Sequence, residues 1–353
     1  MPDPAAQPAV QPAALPDATL PDGAMPYALL RAGLLPPGRY LEAVRMVRDD
    51  GFWRRWGRTA LLVLAVGQVL AGIVFFFAFN WADLPPLAKL GLIQGGIVLC
   101  VAGAWTGRAH RMAWEALLAS AAVLVGVLLA VFGQIYQTGA DAYSLFVGWA
   151  LLILPWVALS RGLAPLVLWL AVAGTGGATY AAQIAIPMDW IGPEAVAALL
   201  ALFYATALAL TELAAARGSG WLRAPWLRRL LATVILGITF VAAAPAVFEE
   251  PPEPAGWMAM ALFAAAVAGL GFAGRRWRDL PVVALAVLAG CLFLNLASAR
   301  LAFEAGDDIG GSFLLLAAVA VVFGGALSLL RRVRAAMAAE EAAGAAAKGA
   351  GHG

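Results

Sequence analysis

Charge is scarce in this sequence. Asp, Glu, Lys and Arg together make up 12% of the 353 residues, about half of the roughly 25% usual in soluble domains. With 63% of the chain hydrophobic, there is too little polar surface to solvate a globular fold of this size. Cysteine is nearly missing. Cys100 and Cys291 both fall in apolar stretches and read as small buried hydrophobes, which excludes a disulfide framework and a cysteine metal site. Histidine is equally rare. His110 lies in a basic loop and His352 in the C-terminal tail, so neither metal nor cofactor is expected. No Walker loop, dinucleotide fingerprint, Gly-x-Ser-x-Gly elbow or metalloprotease helix occurs, and no nucleophile can be matched with a base. The expectation is therefore not an enzyme. Residues 1–26 are Pro/Ala-rich without an apolar core segment, which argues against a cleavable signal peptide and for a disordered tail.

What the sequence has is apolar residues in blocks. A helix crossing a hydrocarbon layer about 30 Å thick needs roughly 20 mostly apolar residues. Ten stretches meet that length, at residues 59–79, 87–105, 113–132, 143–159, 163–183, 195–215, 229–248, 256–273, 281–299 and 312–330. The predicted fold is all-α, a polytopic transmembrane helix bundle of about ten spans. Before it, apolar residues recur at helical spacing on both sides of Gly33 and Pro36-Pro37. Gly ends helices and Pro is tolerated in a first turn, so a short N-terminal cytoplasmic helical hairpin is expected. Four segments result: a disordered tail 1–26, the hairpin and a basic stretch leading into the membrane 27–58, a ten-span domain 59–330, and an Ala/Gly-rich cytoplasmic tail 331–353.

Charge placement sets the orientation. Basic residues, nearly all arginine, cluster in alternate loops, which speaks for membrane orientation and against nucleic acid. With the N-terminus inside, the inner loops hold all of them except Lys89 and Arg300. Lys and Arg resist translocation, so both termini are expected in the cytoplasm. Acidic residues lean outward, among them Asp83, Asp141, Glu249, Glu250 and Glu253. Trp53, Trp56, Trp81, Trp105, Trp190, Trp221 and Trp257 fall at or near span ends, where indoles prefer the headgroup level.

The most distinctive stretch joins the third and fourth spans on the outer side. There Gln134, Tyr136, Gln137, Thr138, Asp141 and Tyr143 crowd donors and acceptors into one short turn. One reading is a polar pocket dipping into the membrane, folded back against the helices. The other is a capped loop, with Asp141 capping the fourth span and the tyrosines anchoring at the interface. Within the spans, Gln68, Gln94 and Asn295 are the polar residues near mid-depth. They read as helix-to-helix hydrogen-bond groups or as the lining of a solute path. Gly91-x-x-x-Gly95 has a close-packing spacing.

The stretch Gly133-Gln-Ile-Tyr-Gln-Thr-Gly-Ala-Asp, followed by Leu145-Phe and Gly148-Trp-Ala-Leu-Leu-Ile-Leu-Pro, resembles the DUF2157 family of bacterial predicted membrane proteins. Phe79-Asn-Trp with Pro85-Pro86 and Lys89 is similar to the early part of that family, as is the hairpin near 29–47. The resemblance covers roughly residues 27–161. It implies a bacterial membrane protein of unknown function and no catalytic residue. It also implies partners that are other multi-span or membrane-anchored proteins, beside the lipid bilayer itself.

The expected function is that of an integral inner-membrane protein, non-enzymatic, working as a scaffold or sensor in the cell envelope. The alternative is a permease or channel for a small neutral or weakly polar solute. Reporter fusions after Ala255 and within 306–310 should read as periplasmic. Fusions after Gly218 and at the C-terminus should read as cytoplasmic, and a periplasmic C-terminus would reject the ten-span arrangement.

Overall fold

A computed structural model describes residues 25–31, 34–48, 81–106, 111–137, 141–305 and 308–350, with isolated stretches between 50 and 72. No strand occurs among them. The chain divides into two units, 1–85 and 86–353.

In the first unit, α1 (Met25–Arg31) and α2 (Tyr40–Val47) flank a 3₁₀ turn at Pro37–Arg39. The N–H groups of Leu34 and Leu35 both donate to Leu29 O, at 3.0 and 3.2 Å, which closes the end of α1. In α2, Tyr40, Ala43, Val44 and Val47 are half-buried while Leu41, Glu42, Arg45 and Met46 are exposed. That i, i+3, i+4, i+7 spacing is one helix face, and α1 and α2 are in contact. The predicted span 59–79 lies mostly outside the described residues. Those described between 60 and 72 are helical.

The second unit contains α3 (Pro86–Trp105), α4 (Arg111–Tyr136), α5 (Ala142–Ser160), α6 (Leu163–Tyr180, continued by a π-helical turn at Ala181–Ala185) and α7 (Pro193–Ala216). It goes on with α8 (Pro225–Ala243), α9 (Pro254–Arg276), α10 (Leu280–Ala305) and α11 (Asp308–Ala350). Among the described residues nine helices are long and apolar enough to cross a membrane. They are the second to tenth predicted spans. Pro193, Pro225 and Pro254 open their helices, where the missing N–H costs nothing and the fixed φ suits the first turn. Arg161 and Arg278 stand just past α5 and α9 at φ of 47° and 56°, ending them in the left-handed conformation.

One element differs from expectation. The third predicted span stops at 132, yet α4 continues to Tyr136. A glycine inside a helix costs about 1 kcal/mol, but stopping at Gly133 would leave more backbone groups unpaired near lipid, which offers none. The Ala/Gly-rich tail from 331, whose first part has helical propensity, continues α11 to Ala350, because Arg, Ala, Met and Glu from 331 to 343 are strong helix formers.

Helices in lipid lack a hydrophobic force between them and rely on close packing and interhelical hydrogen bonds. Three aromatic side chains supply both. Trp149 Nε1 of α5 donates to Ala122 O of α4 at 2.8 Å. Trp169 Nε1 of α6 donates to Ala150 O of α5 at 3.1 Å. Tyr204 OH of α7 donates to Leu170 O of α6 at 3.2 Å. In two of the three, a glycine follows the acceptor by four residues. A Cβ on Gly126 would overlap the Trp149 ring, and one on Gly174 would overlap the Tyr204 hydroxyl. Side chains lean toward the helix N-terminus, so a side chain at that position would cover the very carbonyl the ring reaches. Gly91 and Gly95, by contrast, have no atom of the described residues close to where a Cβ would stand, so their spacing packs nothing among those residues. The buried core centres on α8, where Leu227, Leu231, Ala232, Ile235 and Leu236 meet α7, α9 and α10.

Gly126→Ala should lower the thermal unfolding midpoint in detergent, at a cost of about 1–3 kcal/mol for overpacking. Gly91→Ala should leave the midpoint in place.

Candidate functional site

The polar stretch between α4 and α5 is more helical than its sequence suggested. Gln134 and Tyr136 lie in the last turn of α4, and the turn begins only at Gln137, whose φ is 49°. Thr138 and the loop tip to 140 lie outside the described residues, so the expected fold-back of the tip falls there. Tyr136 leans on Phe132 of its own helix, with ring centroids 4.6 Å apart. Gln134, Asp141 and Ser144 border a cavity of about 510 Å³ between the ends of α4 and α5, whose other walls include Leu129, Phe132 and Leu145.

Asp141 occupies the N-cap position of α5 but makes no side-chain cap hydrogen bond. Its backbone carbonyl instead accepts Ser144 Oγ at 2.7 Å. The cap comes from elsewhere: Gln183 Oε1, in the π-helical turn after α6, accepts the N–H of Tyr143 at 3.1 Å. Tyr143 and Tyr180 pack edge to face beside it, 5.3 Å between centroids. The extra residue of a π turn shifts the side chains that follow, and this one carries Gln183. A lone Gln at the end of an apolar run gave no sign of that role.

Gln94 is exposed on α3, and Gln68 is exposed in the first unit. Asn295 Nδ2 donates to Cys291 O on its own helix at 2.8 Å, and its Oδ1 is buried without a partner among the described residues.

Two charged clusters were not legible in the sequence. At the arginine-rich end of the second unit, Asp279 sits between α9 and α10 with its side chain 4% exposed. Arg228 Nη1 reaches its Oδ2 at 3.2 Å and Arg229 Nε its Oδ1 at 3.1 Å. Arg228 also grips Glu212 of α7 through Nε and Nη2, both at 2.8 Å, a two-pronged geometry suited to a carboxylate. Its guanidinium lies 4.9 Å from the centre of the Trp277 ring. The Asp279 backbone is held too, its N–H donating to Gly274 O at 2.8 Å. A Cβ on Gly274 would meet Val283 Cγ2 at 2.9 Å, so the glycine is what lets α9 and α10 turn so tightly. At the opposite end, Arg300 of α10 binds Glu304 at 2.6 Å, Glu249 O at 3.0 Å, Val247 O and the Glu250 carboxylate. Arg300 is one of the two basic residues that the charge pattern left on the acidic side, and its partners there are acidic side chains and loop carbonyls.

Chemically these arrangements hold helices together. Among the described residues no three His, Cys, Asp or Glu side chains come together to hold a metal ion. Long apolar helices, charge kept to their ends and interhelical bonds to backbone carbonyls define a polytopic α-helical membrane protein. More particularly, residues 28–166 match the model of DUF2157, a family described as predicted membrane protein. The match runs from the first short helix into α6, and α7 to α11 lie beyond it. No curated protein and no solved structure matches the chain.

Gln183→Ala should destabilise the protein by about 1 kcal/mol, as for other lost caps. Asp141→Ala should stay within about 0.5 kcal/mol. Thermal unfolding of both variants in the same detergent checks the exchange of roles.

Proposed function

We propose that the protein is a non-enzymatic integral protein of the bacterial inner membrane, both termini in the cytoplasm, acting through interactions as a scaffold or sensor in the cell envelope. The observation that carries this reading is the fastening of α8, α9 and α10 at both ends. Arg228 and Arg229, at the start of α8, hold the connection after α9. Arg300, late in α10, holds the connection before α9. A helix trio tied at both faces resists the rocking that alternating access requires. The carboxylates of Glu212 and Asp279 are engaged by arginines, which leaves them poorly placed to act as bases. The arginine-rich loop pattern supports the orientation. Partners that are multi-span or membrane-anchored proteins fit the family resemblance of residues 28–166.

A permease or channel for a small neutral solute is the second reading. It is favoured by the cavity of about 510 Å³ bordered by Gln134, Asp141 and Ser144. Light scattering on proteoliposomes, with glycerol and urea as probes, separates the two. The scaffold reading expects shrinking and swelling no faster than in empty vesicles. Solute flux that Gln134→Leu abolishes would replace it with the permease. In-membrane crosslinking on native membranes should capture defined protein partners.

A further inference from the structure

The arginines of this chain fall into two groups. Arg228, Arg229 and Arg300 have their charge answered by carboxylates. Arg275 and Arg276, on the last turn of α9, are exposed and ion-pair with no described residue. They border a cavity of about 660 Å³ between the end of α9 and the later part of α11. Arg278 joins them, and Glu340 is the acid among the lining residues, 4.0 Å from Arg278. Three guanidinium groups thus face one carboxylate, an excess of two positive charges. The remainder of the lining is apolar, notably Phe272 and Met337, with Phe272 74% exposed.

Depth gives this composition its meaning. The apolar run of α9 gives way to charge at Arg275 and Arg276, and that of α11 at Arg331. Phe272, one turn before Arg276, therefore lies on the hydrocarbon side of the site, and the arginines lie at the level of the headgroups. A site that is greasy below and doubly cationic above has the amphiphilic order of a lipid. Guanidinium groups bind phosphate oxygens in a fixed two-pronged geometry, and basic pockets between membrane helices select anionic headgroups. We infer that the cavity between α9 and α11 binds an anionic glycerophospholipid, its phosphodiester on Arg275 and Arg276 and an acyl chain along Phe272. Glu340 limits how tightly it binds. The inference stands whether the protein is a scaffold or a permease.

The test uses the full chain, delipidated in detergent and offered equal amounts of phosphatidylglycerol and phosphatidylcholine, with bound lipid read by native mass spectrometry. Phosphatidylglycerol should be retained in preference. The double variant Arg275→Gln/Arg276→Gln should lower its affinity by about tenfold or more, with helicity and unfolding midpoint in zwitterionic lipid unchanged. Glu340→Gln should raise the affinity, an outcome that misfolding cannot mimic. Equal binding of both lipids, no fall in the double variant, or no gain on Glu340→Gln overturns the proposal. Release of the lipid by millimolar inorganic phosphate would assign the pocket to a soluble anion and overturn it too.

Discussion

A carboxylate withdrawn from water between two arginines organises the arginine-rich end of the second unit. Moving a charge out of water costs several kcal/mol after relaxation, and attraction offsets that only when geometry is good and the remaining lone pairs are satisfied. Asp279 meets both conditions. Arg228 and Arg229 take one oxygen each, and the backbone turn places the side chain without freedom to leave. Several other features follow from this demand. Gly274 must be glycine for α9 and α10 to approach. Arg228 must come from the first turn of α8, so that helix cannot start later. Glu212 then balances the second charge of the arginine pair, and Trp277 covers the guanidinium face. The result ties α7, α8, α9 and α10 at one level. Because Arg300 does similar work at the other end, the trio α8 to α10 is fixed in register along its whole length.

Between these ends the helices need another kind of contact. Oily side chains gain little by meeting one another when lipid is just as oily. Contacts must be close or polar to matter. The pairing of a bare glycine with an indole or phenol satisfies both conditions, since the missing side chain brings two backbones nearer and uncovers a carbonyl for the ring to reach. Thr175, Thr179, Thr239 and Ser298 show the other solution, returning their hydroxyls to carbonyls of their own helices. A lone polar group can thus lie in a span without a neighbour.

The spans were legible because a bilayer imposes a length on every one of them, and Pro or Arg marks the edges. The end misread at 133–136 is a place where a weak breaker met a strong need for backbone pairing. The candidate site was less legible. Asp141 has the right chemistry and position for a cap, but Gln183, forty residues beyond Tyr143, supplies it. Asp279 reads as one more solvated charge beside arginines, and only the fold shows that its partners lie fifty residues earlier. Gly126 and Gly174 looked no different from Gly91 and Gly95. What separates them is an aromatic residue on the next helix, which no local pattern records.

The aromatic bonds share a direction. Trp149 of α5 reaches back to α4, Trp169 of α6 to α5 and Tyr204 of α7 to α6, each to the helix before its own. In each pair the acceptor is made first and the donor arrives later. A ribosome feeding this chain into the membrane would release a helix that already carries the acceptor carbonyl, followed by the side chain that reaches it. The arrangement writes an order of assembly into the sequence, from the N-terminal helices toward the C-terminal ones, with each new segment finding its berth on the last.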